Sequence, residues 1–314
     1  MKPHLVVTTV GLVASAALTV ASPTAAAPTR AQVAAPAAVV NGTTYRPVDA
    51  TVRTPPPVHA RAWVVVDMTT GAILGKHRAR ARLPQASTIK LLTALTAVHR
   101  ISATEPLTAT RRAASTICSC AGVIAGRQYR RSKLLGGMLV KSGNDAAEAL
   151  AGADPRGRAR FIAAMNNTAA RLGATDTVAK NPSGLDAAGA HSSARDLVVL
   201  LRAAAGSGHI APWLDTSQMR FGAIGGRKHT LTTLTDYQRM YEDSYAAKSG
   251  YTTRARNTLV AASQYVTTEN GTPDIGAALL GAEAGFTTSG TRALIRWAAN
   301  NSGRLAPVGL LPGG

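Results

Sequence analysis

From Ala62 onward the alternation of apolar and polar positions is that of a folded domain. Trp63-Val64-Val65-Val66-Asp67 and Ala72-Ile73-Leu74-Gly75 are short runs rich in β-branched residues, separated by Thr69-Thr70-Gly71, and they predict a β-hairpin over 62–78. After Pro84, the stretch from Ala86 to Val98 is apolar nearly all the way round and rich in helix formers, which predicts a largely buried helix. Residues 132–152 read as two helices broken at Ser142-Gly143-Asn144, because Gly and Asn disfavour an uninterrupted helix there. Further helices are expected over 154–172, 193–204 and 292–300. Asn181-Pro182-Ser183-Gly184 is a turn, and strands return over 245–263. Sheet elements at both ends of the chain enclose a helical middle, so the fold class is α+β with a mostly antiparallel sheet flanked by helices.

The first sixty residues follow other rules. Lys2 precedes an uncharged, mostly apolar run from Leu5 to Ala21, and small residues follow at Ala25, Ala26 and Ala27. This reads as a secretory signal peptide over 1–27 and predicts export. The run is too short and too diluted by Thr, Ser and Gly for a membrane anchor, so no integral membrane segment is expected after cleavage. Residues 28–59 are rich in Ala, Pro, Thr and Val without periodicity and read as an extended leader, with one folded domain over 60–311.

Charge changes the picture less than its size suggests. Lys and Arg total 35 against 16 Asp and Glu, a formal net charge of +19, yet only eight of the cations are Lys and aromatics make up 4%. No basic block or aromatic-basic interleaving marks a nucleic-acid surface, and none is expected as partner. Diffuse attraction to anionic wall polymers remains open to so cationic a chain. Cys118 and Cys120 are two residues apart. They cannot tie distant segments together, and two thiols are too few for structural zinc, which leaves a pair of small apolar side chains or a strained local bridge, with no metal and no cofactor expected.

Three polar groupings can carry chemistry. Ser87 and Lys90, one helical turn apart, can meet as nucleophile and base if a dry environment favours the neutral amine. Ser142 and Asn144 sit at the interhelical break, where side chains can project into a cleft. Lys248-Ser249-Gly250 sets a cation and a hydroxyl beside a Gly that admits close backbone approach on a strand.

In that order the three groupings resemble the Ser-x-x-Lys, Ser-Asp-Asn and Lys-Thr-Gly set of penicillin-binding proteins and serine β-lactamases, with Gly143 where that set has Asp. With Asp67, Thr70-Gly71, Asn144-Asp145-Ala146-Ala147, Asn181-Pro182-Ser183-Gly184-Leu185-Asp186 and Ser192-Ser193-Ala194-Arg195-Asp196-Leu197, the chain resembles the low-molecular-mass penicillin-binding proteins. These are the D-alanyl-D-alanine carboxypeptidases of serine peptidase family S11, and by composition the resemblance is to their actinobacterial versions. It runs from about Ala62 to Leu311 and implies the penicillin-binding/β-lactamase-like transpeptidase fold. The implied substrate is a peptidoglycan stem peptide ending in D-Ala-D-Ala, with β-lactams as covalent inhibitors. It implies that Ser87 attacks the penultimate D-alanine carbonyl, Lys90 takes its proton, and the N–H groups of Ser87 and Tyr251 hold the oxyanion. Ser142 would relay the proton to the leaving D-alanine and Asn144 would hold the substrate amide. Lys248 and Ser249 would meet the terminal carboxylate beside Gly250, with Lys248 also keeping Lys90 neutral.

Two departures stand out. Ser249 replaces the usual Thr and loses the methyl that restricts its rotamer. Arg256 stands where many relatives have Gly, which calls the local strand packing into question. Few residues follow Pro307, so no second β domain or amphipathic anchor is expected. His191 is read as structural, since the implied chemistry needs no imidazole. Two competing readings are a β-lactamase, whose extra carboxylate would have to be Glu148, and a non-catalytic wall-binding homologue.

Overall fold

The structure is a computed structural model that describes residues 37–313 apart from Asn270. The expected signal peptide and the first part of the leader lie outside the described residues. In chain order the elements are β1 (Ala38–Val40), β2 (Thr43–Tyr45), β3 (Ala62–Asp67), β4 (Ile73–His77), a 3-10 turn (Ala86–Ile89) continuing as α1 (Lys90–Arg100), β5 (Leu107–Thr108), α2 (Arg111–Ala114) and β6 (Gln128–Tyr129). There follow α3 (Arg131–Val140), α4 (Asn144–Gly152), α5 (Arg158–Arg171), α6 (Ala194–Ala205), α7 (Ala211–Leu214), β7 (Gln218–Phe221), β8 (His229–Thr232) and α8 (Asp236–Met240). The C-terminal part contributes β9 (Ser244–Thr252), β10 (Arg256–Gln264), β11 (Asp274–Ala282) and α9 (Thr287–Asn300).

Seven strands form one sheet in the order β1-β2-β4-β3-β11-β10-β9, every pairing antiparallel. The unbroken apolar character of β3 follows from burial on both faces. Val64 and Val66 join the cluster that includes α1 and α6, whereas Trp63 and Val65 join the cluster on the α9 side. The same alternation runs along β10, with Val260 and Ala262 on the first side and Leu259 and Ala261 on the second. Helices thus cover both faces of the sheet, which makes this the α+β architecture expected.

The hairpin over 62–78, the helix pair broken at 142–144 and the strands after residue 244 form as the sequence predicts. The leader is a correction. Within the described part of residues 28–59, β1 and β2 form a hairpin whose second strand pairs with β4 from Thr43↔His77 to Tyr45↔Gly75. Tyr45 is buried edge-on against Trp297, so the folded part starts well before Ala60. Three-residue strands amid Pro and Ala leave no readable period. The central strand β11 also lacks a conventional strand signal, because Asp274-Ile275-Gly276-Ala277-Ala278 is dominated by residues of low β-propensity. The closing helix begins at Thr287, five residues before the expected Arg292.

Candidate active site

The entry to α1 brings the nucleophile candidate to the surface of the sheet. Ala86 has a positive φ of 49°, the 3-10 turn packs against β9, and α1 then leads into the helical region. Two glycines permit that approach. A Cβ on Gly184 would lie 2.0 Å from the Ala86 carbonyl oxygen, and one on Gly250 would lie 2.7 Å from the Ser87 nitrogen. Strand β9 forms one edge of the sheet, so Lys248, Ser249 and Gly250 stand on an open strand beside Ser87.

Ser87 is partly exposed and Lys90 is fully buried, with Lys90 Nζ 2.8 Å from Ser87 Oγ. The Lys90 amine also donates to Asn144 Oδ1 at 2.7 Å and to the Ser183 carbonyl at 2.6 Å. Burial, and secondarily the nearby Lys248 cation, hold its pKa well below the ordinary lysine value. Ser142 occupies the break between α3 and α4 with φ 54°, and its Oγ accepts from Lys248 Nζ at 3.1 Å. Lys248 is likewise fully buried, and burial lowers its pKa to about 7. Ser249 Oγ lies 3.0 Å from Thr235 Oγ1 and donates to the Leu234 carbonyl at 3.3 Å, so two partners restrain the hydroxyl that lacks a methyl.

All three motifs therefore meet in one place. They border a cleft of about 660 Å³ lined in part by Ser87, Cys118, Ser119, Ser142, Ser249, Gly250 and Tyr251. Asn144 is placed differently from its expected substrate contact. Its Oδ1 faces Lys90 and its Nδ2 donates to the Ile117 carbonyl at 2.7 Å, so both ends of the carboxamide are engaged within the protein. Arg256 has a positive φ of 57° and an exposed side chain. What that position demands is a left-handed backbone rather than small volume, which is where a Gly is at ease.

Several contributors carried weak sequence signals. Ser183 acts through its carbonyl, and only the Asn181-Pro182-Ser183-Gly184 turn pointed to it. The carbonyls of Ile117 and Ser119 had no signal, since every residue has one. Asp145 accepts from the backbone N–H groups of Ala121, Gly122 and Val123, each at 2.8 Å, which fixes the loop before α3. Cys118 and Cys120 form a disulfide at the rim of the cleft. His191 Nδ1 lies 2.9 Å from the Gly189 carbonyl, and its backbone bridges to Val178, so it packs a turn. Glu148 accepts from Arg158 Nε at 2.6 Å and Nη2 at 2.8 Å, with Arg112 at 3.7 Å, and does not line the cleft. Among the described residues no cluster of His, Cys, Asp or Glu could hold a metal ion, and no helix is long and apolar enough to cross a membrane.

An antiparallel sheet covered on both faces, with a serine and two buried lysines converging at its edge, defines the class of penicillin-binding serine peptidases. A family model described as D-alanyl-D-alanine carboxypeptidase, peptidase S11, matches residues 49–284, and the chain belongs to that family. Among curated proteins it is 37% identical over 205 residues to the D-alanyl-D-alanine carboxypeptidase DacB2 of Mycobacterium tuberculosis, covering 65% of this chain and 70% of that one. It is 38% identical over 160 residues to DacD of Escherichia coli, covering 48% of this chain and 41% of the relative. A crystal structure of a D-alanyl-D-alanine carboxypeptidase from Mycobacterium tuberculosis superposes with a TM-score of 0.76 at 32% identity, covering 83% of this chain and 98% of that one. The Streptomyces K15 DD-transpeptidase shares the fold with a TM-score of 0.71 at 22% identity, covering 78% of this chain and 98% of that one.

Proposed function

We propose that this chain is a serine-type D-alanyl-D-alanine carboxypeptidase that removes the terminal D-alanine of peptidoglycan stem peptides outside the cytoplasm, with Ser87 as the acylated residue. The observation that carries the reading is the contact of Ser87 Oγ with a buried lysine whose charge is disfavoured.

A neutral amine has two N–H bonds and one lone pair. Asn144 Oδ1 and the Ser183 carbonyl can only accept, so they take both N–H bonds of a neutral Lys90. The lone pair is then left for the Ser87 hydroxyl, and Lys90 serves as general base while Ser87 attacks the penultimate D-alanine carbonyl. The tetrahedral oxygen is assigned to the backbone N–H groups of Ser87 and Tyr251. Ser142, in contact with Lys248, is suited to pass the proton that Lys90 has taken on to the departing D-alanine nitrogen, which returns Lys90 to its neutral form. Protonated Lys248 and the Ser249 hydroxyl would receive the free carboxylate, which gives a preference for chain ends. Water attack on the acyl-enzyme, with Lys90 again taking a proton, completes hydrolysis. A β-lactam would acylate the same serine.

The test is D-alanine release from a diacylated peptide ending in D-Ala-D-Ala, compared with the same peptide ending in an amide and with the Ser87→Ala variant. Release from the free acid alone, abolished in the variant, is the expected result. No release by the unaltered protein contradicts the reading and leaves the wall-binding alternative.

A further inference from the structure

The loop carrying the disulfide is fastened to the second motif on all sides. Ile117, just before the cystine, accepts from Asn144 Nδ2 at 2.7 Å. Ser119, between the two cysteines, accepts the Asn144 backbone N–H at 2.7 Å and donates through Oγ to the Lys141 carbonyl at 2.8 Å. Ala121, just after it, donates to Asp145 Oδ1 at 2.8 Å, and its carbonyl is met by the His229 ring at 2.9 Å. The loop has no helix or strand between α2 and β6 to hold its own shape, and the Cys118–Cys120 bond closes the chain around Ser119.

We infer that the Cys118–Cys120 disulfide is a positioning element for the catalytic base, acting through the Ile117 carbonyl and Asn144. An Asn carboxamide can be turned end for end at little steric cost, and only its partners decide which end faces which group. A carbonyl cannot donate, so the Ile117 oxygen requires the NH2 end of Asn144 and thereby turns Oδ1 toward Lys90. With Oδ1 there, the amine donates to Asn144 and keeps its lone pair for Ser87. If the loop opens and Ile117 moves away, the carboxamide is free to rotate and present NH2 to Lys90. The lone pair is then drawn from the serine. The disulfide, at the rim of the cleft, thus controls where the base points without itself bonding to Lys90, whose amine meets Ser87, Asn144 and Ser183.

This inference rests on the proposed acylation of Ser87, and the experiment separates the two. The purified protein is compared in three forms: untreated; treated with a phosphine reductant, a separate aliquot being alkylated and weighed by mass spectrometry to confirm that both thiols are free; and as the Cys118→Ser/Cys120→Ser double variant. Each is followed by the rate of acylation with a fluorescent penicillin across pH, by kcat and KM for D-alanine release, and by circular dichroism. The expected result is a fall of about tenfold in acylation rate and kcat on opening the disulfide, with KM changed less than twofold. The acidic limb of the acylation profile should move, because the groups around Lys90 have changed. The double variant should match the reduced protein and ignore reductant. Unchanged rates and profile with both thiols free would overturn the inference alone. A loss that follows loss of folded signal would assign the disulfide to stability and overturn it too. Absence of acylation in the untreated protein would remove the functional reading and this inference with it.

Discussion

Replacing Lys248 by Met should make the protein more stable near neutral pH while abolishing its activity, and the gain should change sign with pH. Met has nearly the length of Lys and no charge to bury. Burial lowers the Lys248 pKa from 10.5 to about 7, so between those values the unfolded chain binds a proton that the folded one does not, and stability rises with pH across that window. At pH 7 the withheld stability is about 4 kcal/mol, and at pH 10 it has shrunk to about 1 kcal/mol. Met also forfeits the hydrogen bonds to Ser142 Oγ and the Ser249 carbonyl, together about 2 kcal/mol. The balance is a variant about 2 kcal/mol more stable than the parent at pH 7 and about 1 kcal/mol less stable at pH 10. Losing the Lys248 cation also relieves part of the depression of the Lys90 pKa, which adds to the gain wherever Lys248 is charged in the folded parent. Urea unfolding at the two pH values reads the difference directly. A variant less stable at pH 7, or a difference that does not move with pH, would refute the argument that burial suppresses the charge on Lys248.

Other consequences follow from the same geometry. The pH dependence of kcat/KM should be a bell, rising as Lys90 loses its proton and falling through about 7 as Lys248 loses the charge that meets the carboxylate; a rate still climbing at pH 9 would contradict that division of roles. Gly250→Ala should leave the fold intact but cut Ser87 acylation by roughly 100-fold, because the new Cβ would sit 2.7 Å from the Ser87 nitrogen and must displace the nucleophile's turn. Acylation within threefold of the parent would show that the close approach of β9 is not needed. Arg256→Gly should raise stability by about 0.5–1 kcal/mol, since relief of the left-handed backbone outweighs the added freedom of the unfolded chain; a lower melting temperature in calorimetry would rule this out.

Much of the architecture was legible because burial leaves a pattern. The hairpin over 62–78 could be read from β-branched runs around a Gly, and the break at 142–144 from residues that resist helix in an apolar setting. What escaped had no such pattern. Strand β11 lies between β3 and β10 and is mostly Ala and Gly, with Ile275, Leu279 and Leu280 as its only bulky apolar residues, and a Cβ at Gly276 would lie 2.4 Å from the Met68 sulfur, so the packing excludes a larger residue at that position. Strands β1 and β2 are three residues each, too short for a period. At the site, the side chains of Ser87, Lys90, Ser142, Lys248 and Ser249 announced themselves by type and spacing. Asn144 did so as well, but its orientation depends on a carbonyl of Ile117, and backbone groups are invisible to any reading by residue type. Whether Arg256 was a problem of volume or of backbone could be decided only from its φ.

The central claim is that Ser87 is a nucleophile activated by Lys90, and it is tested most directly by mass spectrometry of the mature protein after incubation with benzylpenicillin, with Ser87→Ala as control and peptide mapping of the product. The account predicts a single adduct of one penicillin mass, mapped to the peptide containing Ser87 and missing from the variant. An unmodified protein with the penicillin unconsumed, or an adduct that persists in Ser87→Ala, would contradict it.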